Sequence, residues 1–325
     1  MKIALPSSRG EFAEFPEFYE SNILPFLKEK EDARQQAVMH SGLIAIGVAV
    51  LAMAAFLKLP FGEDNFVVTF FIVIFGVIAI GWRLSRTSAD ITNGLLARIC
   101  GQMGFEYRQK MGRPSYCEVY DRLKLLPNYN RESWEDEVIG ERGGASFIFC
   151  EAHLKYKSSN GKNSSTRTVF HGQLLIIDYS KRFLGETVIK RDAGIFNRFG
   201  KPGKEFQQIG ITSPKFEKIF EAWSTDQVEA RELLDPLVLE RFEELDRLFD
   251  GAALCAAFTG GKLYIAMKTG DKLNMGSMFK PLAGPERVEK ILKEFDVIFD
   301  LMDVLLKRVD GKLDSAFSVD AVRGE

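Results

Sequence analysis

Three features of the sequence predict an α+β protein: a two-helix transmembrane hairpin, then a cytoplasmic domain in which an antiparallel sheet packs with helices. Two charge-free apolar runs stand close together in the first quarter of the chain. Segments of alternating apolar and polar character follow them, joined by glycine turns. Helical periodicity then returns without the strand–helix–strand alternation that a parallel sheet requires.

Composition limits the classes of function. With 43 basic against 45 acidic side chains the net charge is −2, which gives no global field for nucleic acid. Hydrophobic residues at 46% and charged residues at 27% match a folded chain and exclude a disordered tail. Cys100, Cys117, Cys150 and Cys255 are too scattered for a disulfide scaffold or a zinc site.

The elements are taken in chain order. Residues 1–36 form an N-terminal cytoplasmic segment with Phe12, Phe15, Phe18, Tyr19, Ile23, Leu24 and Leu27 at near-helical spacing, interrupted by Pro16 and Pro25. The hairpin occupies 37–82. Its first helix, 37–57, is a 21-residue run holding one histidine, His40, and no charge; its second, 66–82, has 17 residues and no charge. As helices they span about 31 and 26 Å against a hydrocarbon core of about 30 Å. A cleaved signal peptide is not expected, since the apolar run starts only at Ala37. Lys28, Lys30 and Arg34 before the hairpin, with Arg83 and Arg86 after it, place both termini in the cytoplasm.

The cytoplasmic α+β domain covers 83–309. A helix continues from the membrane to Gly101 or Gly104, and a short one follows at 114–124. Strands are expected at 135–142, 145–157, 166–180 and 185–191, with turns at Gly143-Gly144 and Asn160-Gly161. Phe216–Trp223 reads as a further strand. Asp226 caps a helix with Glu229 completing a capping box, and Asp235-Pro236 starts another running to Phe249. A hairpin over 253–268 turns at Thr259-Gly260-Gly261, and a long amphipathic helix spans 285–309. The remainder, 310–325, is a polar tail.

Catalytic signatures are missing. No Gly-Lys pair continues as a phosphate loop, and neither HExxH, CxxC, GxSxG nor GxGxxG occurs. No catalytic, cofactor-binding or metal-ligating residue is therefore assigned, and no cofactor is expected. If Asn160-Gly161 is a two-residue turn, His153 pairs with Thr168, and the rings of His153 and His171 fall on opposite faces. If Gly143-Gly144 is one too, Asp136 lies opposite Glu151, a pair of like charges that a cation would relieve. A basic group, Lys190, Arg191, Arg198, Lys201 and Lys204, is suited to contact anionic lipid.

The hairpin, YDRLKLLPNYNRESWEDEVIGERGGASFIFCEAHL, TVFHGQLLIIDYSKRFLGETVIKRD and FEKIFEAWSTDQVEARELLDPLVLERF together resemble the bacterial membrane protein family called domain of unknown function 3137. The resemblance covers most of residues 15–310. It implies architecture and a location in the bacterial inner membrane as a multi-pass protein; members are often encoded near LemA-type membrane proteins, which implies a shared complex, and no activity is implied. The reading that follows is a membrane-anchored cytoplasmic binding protein, an adaptor or assembly factor for another membrane protein or for its own kind. The alternative is an enzyme or sensor acting on a lipid or small ligand at the membrane surface.

Overall fold

The computed structural model describes residues 3–58, 64–159, 163–179, 183–191, 201–211, 213–249, 253–270, 273 and 276–306. The chain forms two compact units: residues 1–103 with 274–294, and residues 104–273 with 295–325. The Asn160-Gly161 turn, Arg198 and the polar tail lie outside the described residues.

The first unit is helical. After a short α1 (Phe15–Phe18) and one π-helical stretch at Tyr19–Ile23, α2 runs over Leu24–Lys58 and α3 over Asp64–Gln102. Both long helices are long and apolar enough to cross a membrane. Pro16 and Pro25 do not interrupt this run as expected. Pro16 sits in a first turn, where its missing N–H costs nothing, and the wider π turn gives room ahead of Pro25. Phe12, Phe15, Tyr19, Ile23 and Leu27 form one fully buried stripe, so this leading segment packs within its unit.

Close contacts fix the pairing of α2 with α3. A methyl group at Gly76 would lie 2.4 Å from Val48 Cγ2, and one at Gly94 would lie 2.5 Å from the Phe26 ring. Small residues at these points let the helices approach. Elsewhere the apolar runs face outward: only 17% and 6% of their most apolar windows are buried.

The second unit is a nine-stranded antiparallel sheet in the order β1-β2-β3-β4-β9-β8-β5-β7-β6 among the described residues. In chain order the elements are β1 (Glu106–Met111), α4 (Cys117–Arg122), β2 (Arg131–Arg142), β3 (Ala145–Ser159), β4 (Ser164–Asp178) and β5 (Thr187–Arg191). There follow β6 (Gln207–Gln208), α5 (Pro214–Glu217), β7 (Phe220–Ser224), α6 (Gln227–Leu233), α7 (Pro236–Leu248), β8 (Leu254–Thr259), β9 (Lys262–Met267) and α8 (Glu286–Leu306). Residues 286–294 of α8 belong to the helical unit and the rest to the sheet unit.

Both faces of the sheet are covered, which is why Leu174-Leu175-Ile176-Ile177 reads as an unbroken apolar run. On one face Tyr120, Leu123, Leu125 and Leu126 pack on Cys150, Leu174, Val188 and Ala257. On the other, Phe242 of α7 meets Phe216, Phe220 and Phe258, while Phe299 of α8 meets Phe105. Each buried phenylalanine contributes on the order of 2–3 kcal/mol. Gly172 is where β4 meets the backbone closely: a Cβ there would sit 2.0 Å from Met267 O.

Several expectations need correction. β1 and β6, polar edge strands, lack the apolar alternation that would announce them. Phe216–Trp223 is divided: Ser213 caps α5, whose Phe216 enters the core, and the strand begins only at Phe220. Asp226 does cap α6, accepting from Val228 N and Glu229 N, but there is no capping box. The Asp226 N–H goes to Ser224 Oγ at 3.1 Å, and Glu229 instead accepts from Leu184 N and Gly185 N at 2.6 Å each. Gly143-Gly144 is a two-residue turn as expected, whereas the expected Thr259-Gly260-Gly261 turn narrows to Gly260-Gly261 because Thr259 pairs with Lys262; all four glycines are at positive φ, where other side chains are strained.

Candidate functional site

The acidic residues of β2 come first. Val138 pairs with Phe149, as the Gly143-Gly144 turn dictates, but a bulge between Glu135 and Val138 then shifts the ladder. Glu135, not Asp136, stands opposite Glu151. Asp136 takes up the extra residue at φ 54, a conformation that aspartate tolerates better than most. Its Oδ1 accepts a 2.6 Å bond from the Tyr107 hydroxyl, while Glu137 accepts from Tyr116 Oη at 2.8 Å and from Arg108 at 3.3 Å. Glu151 accepts from Leu273 N at 3.1 Å. Hydroxyl, guanidinium and amide donors thus satisfy these buried carboxylates, and the expected Asp136–Glu151 pair does not form. Among the described residues no group of three or more His, Cys, Asp or Glu is arranged to hold a metal ion.

The histidines are also placed differently. His153 and His171 are direct cross-strand partners whose rings stack at 4.3 Å with an 18° tilt. Beyond Ser159 and Ser164 the ladder is offset from a two-residue turn, and a bulge after Leu154 adds one further residue. The combined offset is odd, so the two rings fall on the same face. His153 Nε2 lies 3.0 Å from Thr168 Oγ1. Burial, then the neighbouring His171 and Lys155, hold its pKa below the usual value. Facing planes leave no shared point toward which both ring nitrogens aim, so the pair does not form a chelate.

The basic residues separate by face. Successive strand residues point to opposite sides, so β5 sends Lys190 under the α4 layer and Arg191 toward α7, where it pairs with Asp246. Lys190 is only 1% exposed, opposite Cys255 in the ladder, and its Nζ finds no hydrogen-bond partner among the described residues. Burial drives its pKa down to about 8, and the positive Lys124 adds to this. The Cys255 thiol is pushed up to about 11 by burial. Lys124, itself at positive φ, donates to Lys201 O at 3.2 Å.

Lys124, Lys201, Gly203 and Lys204 line an open basin of about 390 Å³. Three of the five lysines and arginines expected to act together are therefore buried, paired to Asp246 or outside the described residues, while Lys201 and Lys204 remain exposed. Lys124 was not singled out by sequence reasoning, because it lies 66 residues before Lys190 in a stretch without other basic clustering.

Residues 168–307 match the model of the family described as protein of unknown function (DUF3137). The match includes the segments beginning at Thr168 and Phe216 but not the one beginning at Tyr120. Among curated proteins none matches. A crystal structure of the mycobacterial trehalose monomycolate transport factor A aligns at 12% identity over 63% of this chain and 91% of that one, with a TM-score of 0.33.

Proposed function

We propose that this chain, with its DUF3137 domain at residues 168–307, is anchored in the bacterial inner membrane by α2 and α3. On this reading both termini are cytoplasmic, and the sheet unit binds another membrane protein as an adaptor or assembly factor. The observation that carries the reading is the outward face of the two apolar runs. A core helix of a soluble protein buries its apolar side chains, whereas these windows are only 17% and 6% buried. Lipid is the solvent that removes the cost of that exposure.

Binding rather than turnover is supported by how the polar groups of the sheet unit are used. Asp136, Glu137 and Glu151 are occupied with structural donors. Two exposed apolar side chains, Leu184 and Val228, flank the Glu229 carboxylate that ties their backbones together, a small surface suited to protein contact. The test is photo-cross-linking from position 228 in intact cells, followed by detergent extraction and identification of the adduct. A discrete membrane-protein adduct supports the adaptor. Recovery of the chain in the soluble fraction without detergent overturns the anchoring itself.

A second reading, a sensor of a phosphate-bearing lipid or small ligand, is favoured by the basin that Lys124, Lys201 and Lys204 line. An anion there would gain the attraction of these lysines and of the nearby Lys190. Nanodiscs with and without anionic lipid separate the two readings: the sensor predicts salt-sensitive protection of Lys201 and Lys204 from acylation.

A further inference from the structure

We infer that residues 276–283 form an interfacial wedge, seating Phe279 and Lys280 in the headgroup layer beside the point where α2 enters the bilayer. This rests on the membrane reading above, and the experiment below separates the two.

The segment is fastened within the helical unit through its backbone carbonyls and one amide. Arg34 Nη1 donates to Met278 O at 2.8 Å, and Leu282 N donates to Glu31 Oε2 at 2.9 Å. From the other side Arg287 Nη2 donates to Ser277 O and Lys280 O, both at 2.7 Å. Arg34 and Arg287 are themselves buried, so these bonds are shielded from competing water. Met278 and Leu282 point inward while Phe279 stays 71% exposed, with Lys280 exposed beside it. A large aromatic ring held outward by its own buried neighbours is presented to something.

Its height identifies what that is. The contacts climb α2 from Glu31 to Arg34 as the segment runs back from Leu282 to Met278. Ala37, the first residue of the apolar run, lies about 4.5 Å further along the axis. Across the hairpin, Arg83 Nη2 lies 3.1 Å from His40 Nδ1, and Arg86 sits 5.6 Å from the Trp82 ring centre. Arg86 therefore marks the level of Ala37 on α3, with Arg83 and Trp82 about one turn deeper. Aromatic rings with lysine or arginine at a helix entrance are the composition of a membrane interface, and Phe279-Lys280 adds that pair from a segment some 200 residues distant. A second copy or another protein covering Phe279 would have no need of this alignment.

The test uses the full chain in nanodiscs, with single nitroxide labels at Phe279→Cys, Ile46→Cys and Val228→Cys, and the unlabelled-site chain correcting for native cysteines. Collision with oxygen against an aqueous nickel chelate reports depth. The expected result puts the label at 46 deep in the hydrocarbon, the label at 228 in water, and the label at 279 within about 10 Å of the phosphate level. If 46 is deep while 279 is as accessible to nickel as 228, the wedge is wrong and the anchoring stands. If 279 is shielded from both reagents, protein covers it and the wedge is wrong again. A nickel-accessible label at 46 overturns both.

Discussion

The helical and sheet units arrange the same kinds of residue in opposite ways. In the sheet unit the phenylalanines and leucines lie between strands and helices, with carboxylates such as Glu137 and Glu151 closed off by tyrosine, arginine and amide donors. In the helical unit the apolar runs of α2 and α3 face out, while the partly buried contacts of Glu31 with Arg34 and Leu282 gather just before the first run begins. The contrast teaches that burial follows the solvent expected on each surface. On the proposed membrane reading, the polar bonds stay at the entrance and the greasy side chains turn toward lipid.

This contrast can be broken most severely from within the sheet. Gly172→Val drives a side chain into the Met267 carbonyl, where even a Cβ would be at 2.0 Å. The expected loss exceeds about 4 kcal/mol, read as loss of the folded sheet unit in proteolysis while α2 and α3 remain membrane-associated.

Next comes a charge on the outward face of α2. Ile46→Arg should cost about 3 kcal/mol in membrane insertion, measured by carbonate extraction. Val228→Arg, also at an exposed apolar position but on the sheet unit, should stay within about 0.5 kcal/mol. Equal effects at the two positions would erase the distinction between the surfaces.

The entrance contacts rank third. The Arg34 hydrogen bond holds the Glu31 carboxyl down to about 2, against the opposing effect of burial. A lowered folded pKa contributes stability present above the ordinary value of 4.5 and lost as pH falls from there toward 2. Glu31→Gln should cost about 2 kcal/mol at neutral pH and flatten this acid limb in thermal melts.

Lys190 gives the smallest effect and the opposite sign. Its folded pKa of about 8 lies below the ordinary 10.5. The cost of burying the charge is therefore present in full below pH 8 and is relieved as pH rises toward 10.5. Lys190→Met should raise stability by about 1 kcal/mol at pH 7 and remove that alkaline rise. A destabilised Lys190→Met would mean that the ammonium has a partner in solution.

Much of this was legible residue by residue. Paired glycines announced both turns, the second one residue shorter than expected; Asp235-Pro236 announced the start of α7, and charge-free runs announced α2 and α3. These signals depend on a glycine at positive φ, a cap reaching an N–H two or three residues on, or side chains one turn apart. What failed to show depends on distant chain. No local pattern announces β1, whose polar residues merely edge the sheet.

Local chemistry thus determined the kind and order of most elements, because turns, caps and apolar periods act over a few residues. Tertiary structure alone decided which side chains meet. The bulge at Asp136 unmade one expected pair of carboxylates, and the offset between β3 and β4 brought His153 onto His171. The folding of residues 276–283 against Glu31 and Arg34 placed Phe279 beside the start of the apolar run of α2, nearly 250 residues away in sequence. The reason is geometric: in a sheet one extra residue turns every later side chain to the other face, and no residue records that count by its own identity.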